Sequence, residues 1–277
     1  MTPEEYCQQK AAASGSSFYY SFLFLPAERR RAITALYAFC REVDDVVDEC
    51  SDAQLAASKL GWWRAEVANL YAGKPQHPVT KALEPHKEHF SISPEKLNQI
   101  IDGMEMDLTQ TRYLDWAGLE RYCHHVAGVV GLLAAGIFGY RDPQTLRYAE
   151  QLGIAFQLTN IIRDVGEDAR KNRIYLPMDE LRQFGVPAAD ILQGRETDEF
   201  RRLMAFEAER ARDHYRQAMQ ALPEPDRRSQ RPGLIMAAIY RALLEEIERD
   251  SFHVLTRRTS LTPMRKFWIA WKTWIAA

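Results

Sequence analysis

The chain has 277 residues, 46% of them hydrophobic and 27% charged, with a formal net charge of −2. A chain of that length and composition can bury a sizeable core, and its balanced charge gives no reason to expect a nucleic-acid partner. The four cysteines (Cys7, Cys40, Cys50, Cys123) lack CxxC spacing, which predicts free thiols in a reducing compartment.

The first ten residues, "MTPEEYCQQK", are polar and acidic, unlike a signal peptide. From there strand alternation is nearly absent. Helical periodicity predicts helices over 26–50, 53–71, 94–108, 116–139 and 143–169. A basic loop around "RKNRIYLP" follows, then helices over 196–222 and 232–256. Prolines open several of these segments, and glycine or polar clusters separate them. The longest apolar run, 126–140, is too short to span a bilayer. Its glycines and alanines predict a helix whose backbone is closely approached. With no repeat and no linker, the reading is one all-α domain over 1–277, ending in a basic, tryptophan-rich segment at 257–277.

The predicted helix 26–50 ends in "CREVDDVVDEC". At about 100° per residue, Ile33, Leu36, Cys40, Val43, Val47 and Cys50 share one arc of about 100°. Tyr37, Arg41, Asp44 and Asp48 form a stripe at its edge, while Glu42, Asp45 and Glu49 point further away. Like charges at i, i+4 repel, so a purely structural helix gains nothing from Asp44 and Asp48. Mg²⁺, a hard cation that takes carboxylate and phosphate oxygens together, would. A solvated acidic turn capped by Arg41 is the other reading of this stretch.

In "GIAFQLTNIIRDVGEDARKNRIYLP", from Gly153, Gln157, Asn160, Asp164 and Asp168 occupy one arc of about 80°. Apolar residues border that arc on both sides, so the stripe must line a cavity, since buried carboxylates without partners are too costly to keep. Arg170, Lys171 and Arg173 follow, suited to phosphate oxygens. Two such helices facing one cavity would clamp diphosphate through Mg²⁺ and assist C–O cleavage. An allylic substrate would leave a carbocation that needs a dry aromatic cavity. The segment "SGSSFYYSFLFLP" (14–26) supplies aromatic residues just before the first acidic helix.

These stretches resemble the squalene/phytoene synthases, which join two prenyl diphosphates head to head. The resemblance rests on residues 14–49, on "YCHHVAGVVG" (122–131) and above all on "QLTNIIRDVGEDARKNRIYLP" (157–177). It implies an isoprenoid synthase fold, with helices around a central cavity, and two or three Mg²⁺ ions held with the diphosphate. Carried over by position, Asp44, Asp45 and Asp48 would hold metal on one wall, and Asn160, Asp164 and Asp168 on the other. Arg41, Gln157, Arg163 and Arg173 would contact diphosphate or support groups that do. Ser17, Phe18 and Tyr37 match positions near the substrate head, and Tyr240 a late diphosphate contact. Where several relatives carry a tyrosine before "VAG", this chain has His125, which is either a proton shuttle or, with His124, a packed polar residue.

Residues 14–49 look most like the bacterial hopanoid-type presqualene diphosphate synthases, which implies farnesyl diphosphate as substrate. It also implies no NADPH and a downstream reductase or oxidase partner. Squalene, dehydrosqualene and phytoene synthases are alternatives, and "DGMEMDL" (102–108) resembles the phytoene-type branch. A non-catalytic assembly factor of the same fold, and a terpene cyclase, are disfavoured by the two intact aspartate pairs and by the Asp164/Asp168 pattern. After Asp250 no acidic residue remains. Arg257, Arg258, Arg265, Lys266 and Lys272 alternate with Phe267, Trp268, Trp271 and Trp274, which predicts either a peripheral membrane segment on a cytoplasmic protein or a last helix packed on the body.

Overall fold

The computed structural model describes residues 1–13, 21–22, 24–50 and 52–276. Thirteen α-helices are described: α1 (Pro3–Ala13), α2 (Ala27–Glu49), α3 (Ala53–Tyr71), α4 (Pro78–Leu83), α5 (Pro94–Thr109), α6 (Trp116–Cys123), α7 (Val129–Phe138), α8 (Gln144–Arg170), α9 (Met178–Phe184), α10 (Ala188–Leu192), α11 (Asp198–Ala221), α12 (Arg231–Arg249) and α13 (Pro263–Ala276). There is no strand among the described residues, only an isolated bridge between Arg112 and Ile174. The all-α expectation holds. All four cysteines are free thiols, as expected.

Helix starts follow local chemistry. Asp52, Ser93, Asp115 and Thr197 each accept a hydrogen bond from a backbone N–H of the first turn of α3, α5, α6 and α11. Two expected helices are revised. The segment read as 116–139 contains a π-helical turn, His124–Gly128, between α6 and α7. With it the run Trp116–Phe138 is continuous, and by length and composition it could cross a membrane. It packs between α5 and α8. The helix read to residue 256 ends at Arg249, because Ser251 and Phe252 adopt φ of 53° and 56° and turn the chain back.

The buried residues form two clusters. One joins α1 to α5 with Val129, Leu133, Ile137 and Phe138 of α7. The other is built around α8, α11 and α12 and takes Ala135 from the opposite side of α7. Helix α7 and the π turn therefore form the seam between the two halves. They meet α8 backbone to backbone: a Cβ on Gly153 would lie 2.4 Å from the carbonyl oxygen of Ala127. Only glycine permits that approach.

Candidate active site

A cavity of about 170 Å³ runs along the seam. Its wall follows one face of α8 through Tyr148, Leu152, Gly153, Phe156, Gln157 and Asn160. That is about 18 Å of helix at 1.5 Å per residue. Phe22, Tyr37, Phe138 and Tyr240 add aromatic lining from other elements. The same face of α8 continues beyond Asn160 to Asp164 and Asp168, so one helix serves as apolar wall and then as acidic mouth.

Helix α2 brings the other acidic pair to that mouth. Lys171 Nζ lies 3.0 Å and Arg173 Nη1 3.5 Å from Asp48 Oδ1, so the chain leaving α8 reaches across to α2. Asn172 makes this return possible. Its φ of 58° places it in the left-handed region that asparagine tolerates after a helix. The N–H groups of Lys171 and Arg173 then both bond to the Asp168 carbonyl, at 3.0 and 2.8 Å. Arg112 clamps the turn from outside, donating to the carbonyl of Asn172 at 2.6 Å and to its Oδ1 at 3.1 Å.

Asp45 does not join the stripe. One of its oxygens accepts from Arg41 and the other lies 2.7 Å from Lys10 on α1. The 100° step between neighbours turns it away from Asp44 and toward α1. Arg41 also holds Asp44, at 2.5 Å. Gln157 and Tyr240 line the cavity. Arg163 donates to both oxygens of Asp164, through Nε at 2.7 Å and through Nη2. Ser17 and Phe18 lie outside the described residues. His125 is absent from the cavity lining. Its Nδ1 is 2.7 Å from the Arg121 carbonyl and its ring meets His124 edge-on, which fits the packed reading rather than the proton shuttle.

Two residues of the site were not anticipated. Asp107 of α5 is buried, accepting from Tyr122 at 2.9 Å and Tyr175 at 2.8 Å. Its position was legible: it follows buried Met104 by three residues and buried Ile100 by seven, an acid on the core edge of a helix. Arg258 had no local signal. Its Nε lies 2.8 Å from Asp164 Oδ1, from 94 positions away. It is placed by Gly166, whose N–H donates to the Val254 carbonyl at 3.2 Å. A Cβ there would stand 2.4 Å from the Leu255 carbonyl oxygen.

The carboxylates feel one another. Burial, then the charges of Asp48, Asp45 and Asp107, push Asp44 up to about 6 against the pull of Arg41. Burial pushes Asp107 up to about 6 although both tyrosines and Arg173 oppose it, and Asp48 adds to the rise. Burial and the charges of Asp164 and Asp107 raise Asp168 to about 7. Asp164 goes the other way: burial alone would raise it, but Arg163 and Arg258 outweigh that and hold it below the usual carboxylate range. Charges on α2, α5 and α8 thus act on one another, although among the described residues no three acidic or thiol or imidazole groups stand together as a ready metal cluster. Asn160 adds a buried Oδ1 with no hydrogen-bond partner, while its amide nitrogen lies 3.5 Å from Gln157 Oε1. Hard oxygen donors, an orphaned acceptor and repelling carboxylates are what a divalent cation would satisfy.

The sequence and the fold are similar to those of known proteins. The squalene/phytoene synthase family model matches residues 11–265. A chloroplastic phytoene synthase from Narcissus pseudonarcissus is 37% identical over 94% of this chain, which spans 63% of that relative's length. A 15-cis-phytoene synthase from Synechococcus elongatus is 36% identical, with 95% of this chain and 89% of the relative covered. Among solved structures, a dehydrosqualene synthase superimposes with a TM-score of 0.87 at 27% identity, over 98% of this chain and 95% of the other. A squalene synthase from Alicyclobacillus acidocaldarius gives 0.81 at 29%, over 90% and 94%. Matched over most of its length, the chain belongs to the squalene/phytoene synthase family.

Proposed function

We propose that this chain joins two farnesyl diphosphates head to head and releases presqualene diphosphate. The observation that carries the reading is the reach of Lys171 and Arg173, at the end of α8, to Asp48 of α2, beside a cavity whose wall follows the same face of α8. Asp44 and Asp48 on one wall, and Asn160, Asp164 and Asp168 on the other, would hold two or three Mg²⁺ ions. Bound Mg²⁺ supplies charge neutralisation for the departing diphosphate. Arg41, Arg163, Arg173, Lys171 and Arg258, now paired with these carboxylates, are placed to turn to diphosphate oxygens. The C–O bond of one substrate breaks and its electron pair leaves with diphosphate. The double bond of the second substrate attacks the allylic cation, and loss of a proton closes the cyclopropane. Tyr37, Phe156 and Tyr240 line the space where that cation would lie, among apolar residues that would keep water away. No reductant enters this balance, so no NADPH is expected.

Phe138, Tyr148 and Gln230 also line the cavity, Gln230 fixed by donating to the carbonyls of Ala135 and Gly139, at 3.3 and 2.9 Å. A second reading, phytoene from geranylgeranyl diphosphate, is favoured by the identity to phytoene synthases. Purified protein with Mg²⁺, without NADPH, given each diphosphate in turn, separates them by mass spectrometry of the product. Presqualene diphosphate from farnesyl diphosphate is expected. Phytoene, with farnesyl diphosphate untouched, would establish the second reading. Squalene formed only when NADPH is added would point to a squalene synthase. No turnover of either substrate would return the assembly-factor alternative.

A further inference from the structure

Helix α13 carries apolar residues on two faces, and the structure covers only one of them. Ala270 is buried, and Trp274 stacks on Phe24 at 4.9 Å with the Arg231 guanidinium 4.8 Å from its ring centre. That face packs on α12. Met264, Phe267, Trp268, Trp271 and Ile275 fall in a separate arc of about 100°, and they are between 43% and 84% exposed. Five large outward apolar groups on one helix, two of them tryptophan, exceed the scattered surface hydrophobics of an ordinary soluble face.

The charges around α13 are arranged differently from the sequence expectation. Arg257 pairs with Asp250, Arg258 with Asp164, and Arg265 with Glu246. Lys266 is half-buried on the inner side, where burial, then the fields of Arg163 and Arg258, lower its pKa. Only Lys272 of the five stays outward with no ion pair among the described residues. Arg241 and Arg227 stand with it around a groove of about 500 Å³ between α11, α12 and α13; Arg227 has one loose partner, the exposed Glu224 at 3.7 Å. Trp268 belongs both to that groove and to the apolar arc, so the two surfaces are continuous.

We propose that α13 docks on a phospholipid bilayer. Its outward arc would lie at the boundary of headgroups and acyl chains, with lipid phosphate taken by Arg227, Arg241 and Lys272. Apolar burial supplies most of the attraction, and the three cations make it stronger on anionic lipid. A second copy of the chain fits less well. A two-fold contact sets one patch against itself, which would bring these cations together with no acidic residue on α13 to answer them. The inference does not depend on which prenyl product is made.

Deleting α13 is a poor test, because its inner face covers Phe24 and Arg231. Point changes on the outer arc avoid this. The full chain is floated with vesicles of phosphatidylcholine, alone or mixed with phosphatidylglycerol, at low and high salt. Binding is expected to neutral vesicles, and to anionic ones more tightly, by up to roughly fivefold for each cation engaged. High salt should remove the anionic increment and leave the neutral binding. The double change Trp271→Asp with Ile275→Asp should weaken binding by at least about tenfold on both vesicles, with circular dichroism and sedimentation unchanged. Arg241→Gln with Lys272→Gln should remove only the anionic increment. Unchanged binding of the Trp271/Ile275 variant, or no binding of the parent to either vesicle, overturns the proposal. So does a dimer of the parent that the same variant dissociates without any vesicle affinity to lose.

Discussion

The two aspartate pairs share one spacing and sit in different fields. On α2, Asp44 is held from within its own helix, by Arg41 three residues before it. On α8, Asp164 is held by its neighbour Arg163 and by Arg258 from a distant loop. The results differ in sign: Asp44 is raised to about 6, while Asp164 is lowered. The second member of the α8 pair, Asp168, has no such escort and rises to about 7. An i, i+4 pair of carboxylates therefore does not define its own electrostatics. The backbone that packs beside it does, and on α8 that backbone is admitted by Gly166.

If the walls were equivalent, losing either would cost the same. Asp44→Ala and Asp164→Ala should each lower turnover on the order of 10²–10³, with helical circular dichroism kept. Asp164→Ala should be the worse of the two. It leaves Arg163 and Arg258 facing each other without the carboxylate that holds both. Equal losses, or turnover like the parent's in either variant, would break the comparison and the metal-clamp reading with it.

Gly166→Ala tests the cause of the difference without touching a carboxylate. The added methyl would meet the backbone oxygens of Val254 and Leu255, at 2.6 and 2.4 Å, so the loop must move and carry Arg258 with it. A drop in turnover of about tenfold is expected, as for misplacing a positioning group. Arg258→Ala should reproduce most of it. If Gly166→Ala is inactive through misfolding, Arg258→Ala still carries the test, through an Asp164 pKa that rises toward the Asp44 value in carboxylate NMR.

Much of this was readable before any coordinates. The wheel positions of Asp44, Asp48, Asn160, Asp164 and Asp168 depend only on helical geometry, which a long regular helix enforces. The pairing of Asp45 was not legible: its partner outside the helix is Lys10 on α1, a helix whose apolar pattern is too weak to read, with Cys7 its one buried residue. Asp107 is legible as an acid on the core edge of α5, three residues after buried Met104, but its partners Tyr122 and Tyr175 come from other segments. Arg258 could not be found. Its contact with Asp164 depends on a turn at Ser251 and Phe252 that breaks an apolar period still running through Val254 and Leu255. The sequence pattern continues the helix, and the close approach at Gly166 stops it.

The raised carboxylates give the pair of walls a pH signature. Asp44, Asp107 and Asp168 have folded values near 6, 6 and 7, above the 3.8 of an unfolded aspartate. Their contribution to stability is therefore fully present below about pH 4 and is lost as pH rises toward 7. His214 acts oppositely. Burial lowers it to about 4, so its contribution is lost as pH falls below 6.5. Without metal, Tm should rise as pH is lowered from 8 to 6.5, where buried Glu207, raised to about 8, adds to the three aspartates. Mg²⁺ with inorganic diphosphate needs Asp44 and Asp168 ionised, so its affinity should fall several-fold over the same interval, and calorimetry should show proton release on binding. A metal affinity independent of pH between 8 and 6 would mean that Asp44 and Asp168 are not metal ligands.

The smallest effect should come from the clamp that joins the walls. Arg112 touches no aspartate, yet it holds the carbonyl and side chain of Asn172 and so the turn that returns Lys171 and Arg173 to Asp48. It is exposed, so its hydrogen bonds contribute about 1 kcal/mol at most. Arg112→Ala should raise KM by no more than about fivefold, a 1 kcal/mol equivalent, and leave kcat nearly unchanged, because the turn stays populated and only its fixed arrangement is lost. Asn172→Gly keeps the left-handed conformation without strain and should be close to neutral. Asn172→Ala must hold φ near 58° with a Cβ, at about 1–2 kcal/mol, and should lower Tm as well as raise KM. A kcat loss in Arg112→Ala as large as that of Asp44→Ala would mean that the turn shapes the chemistry and not only the grip on diphosphate, and the two walls would then have to be treated as one unit with Arg112 inside it.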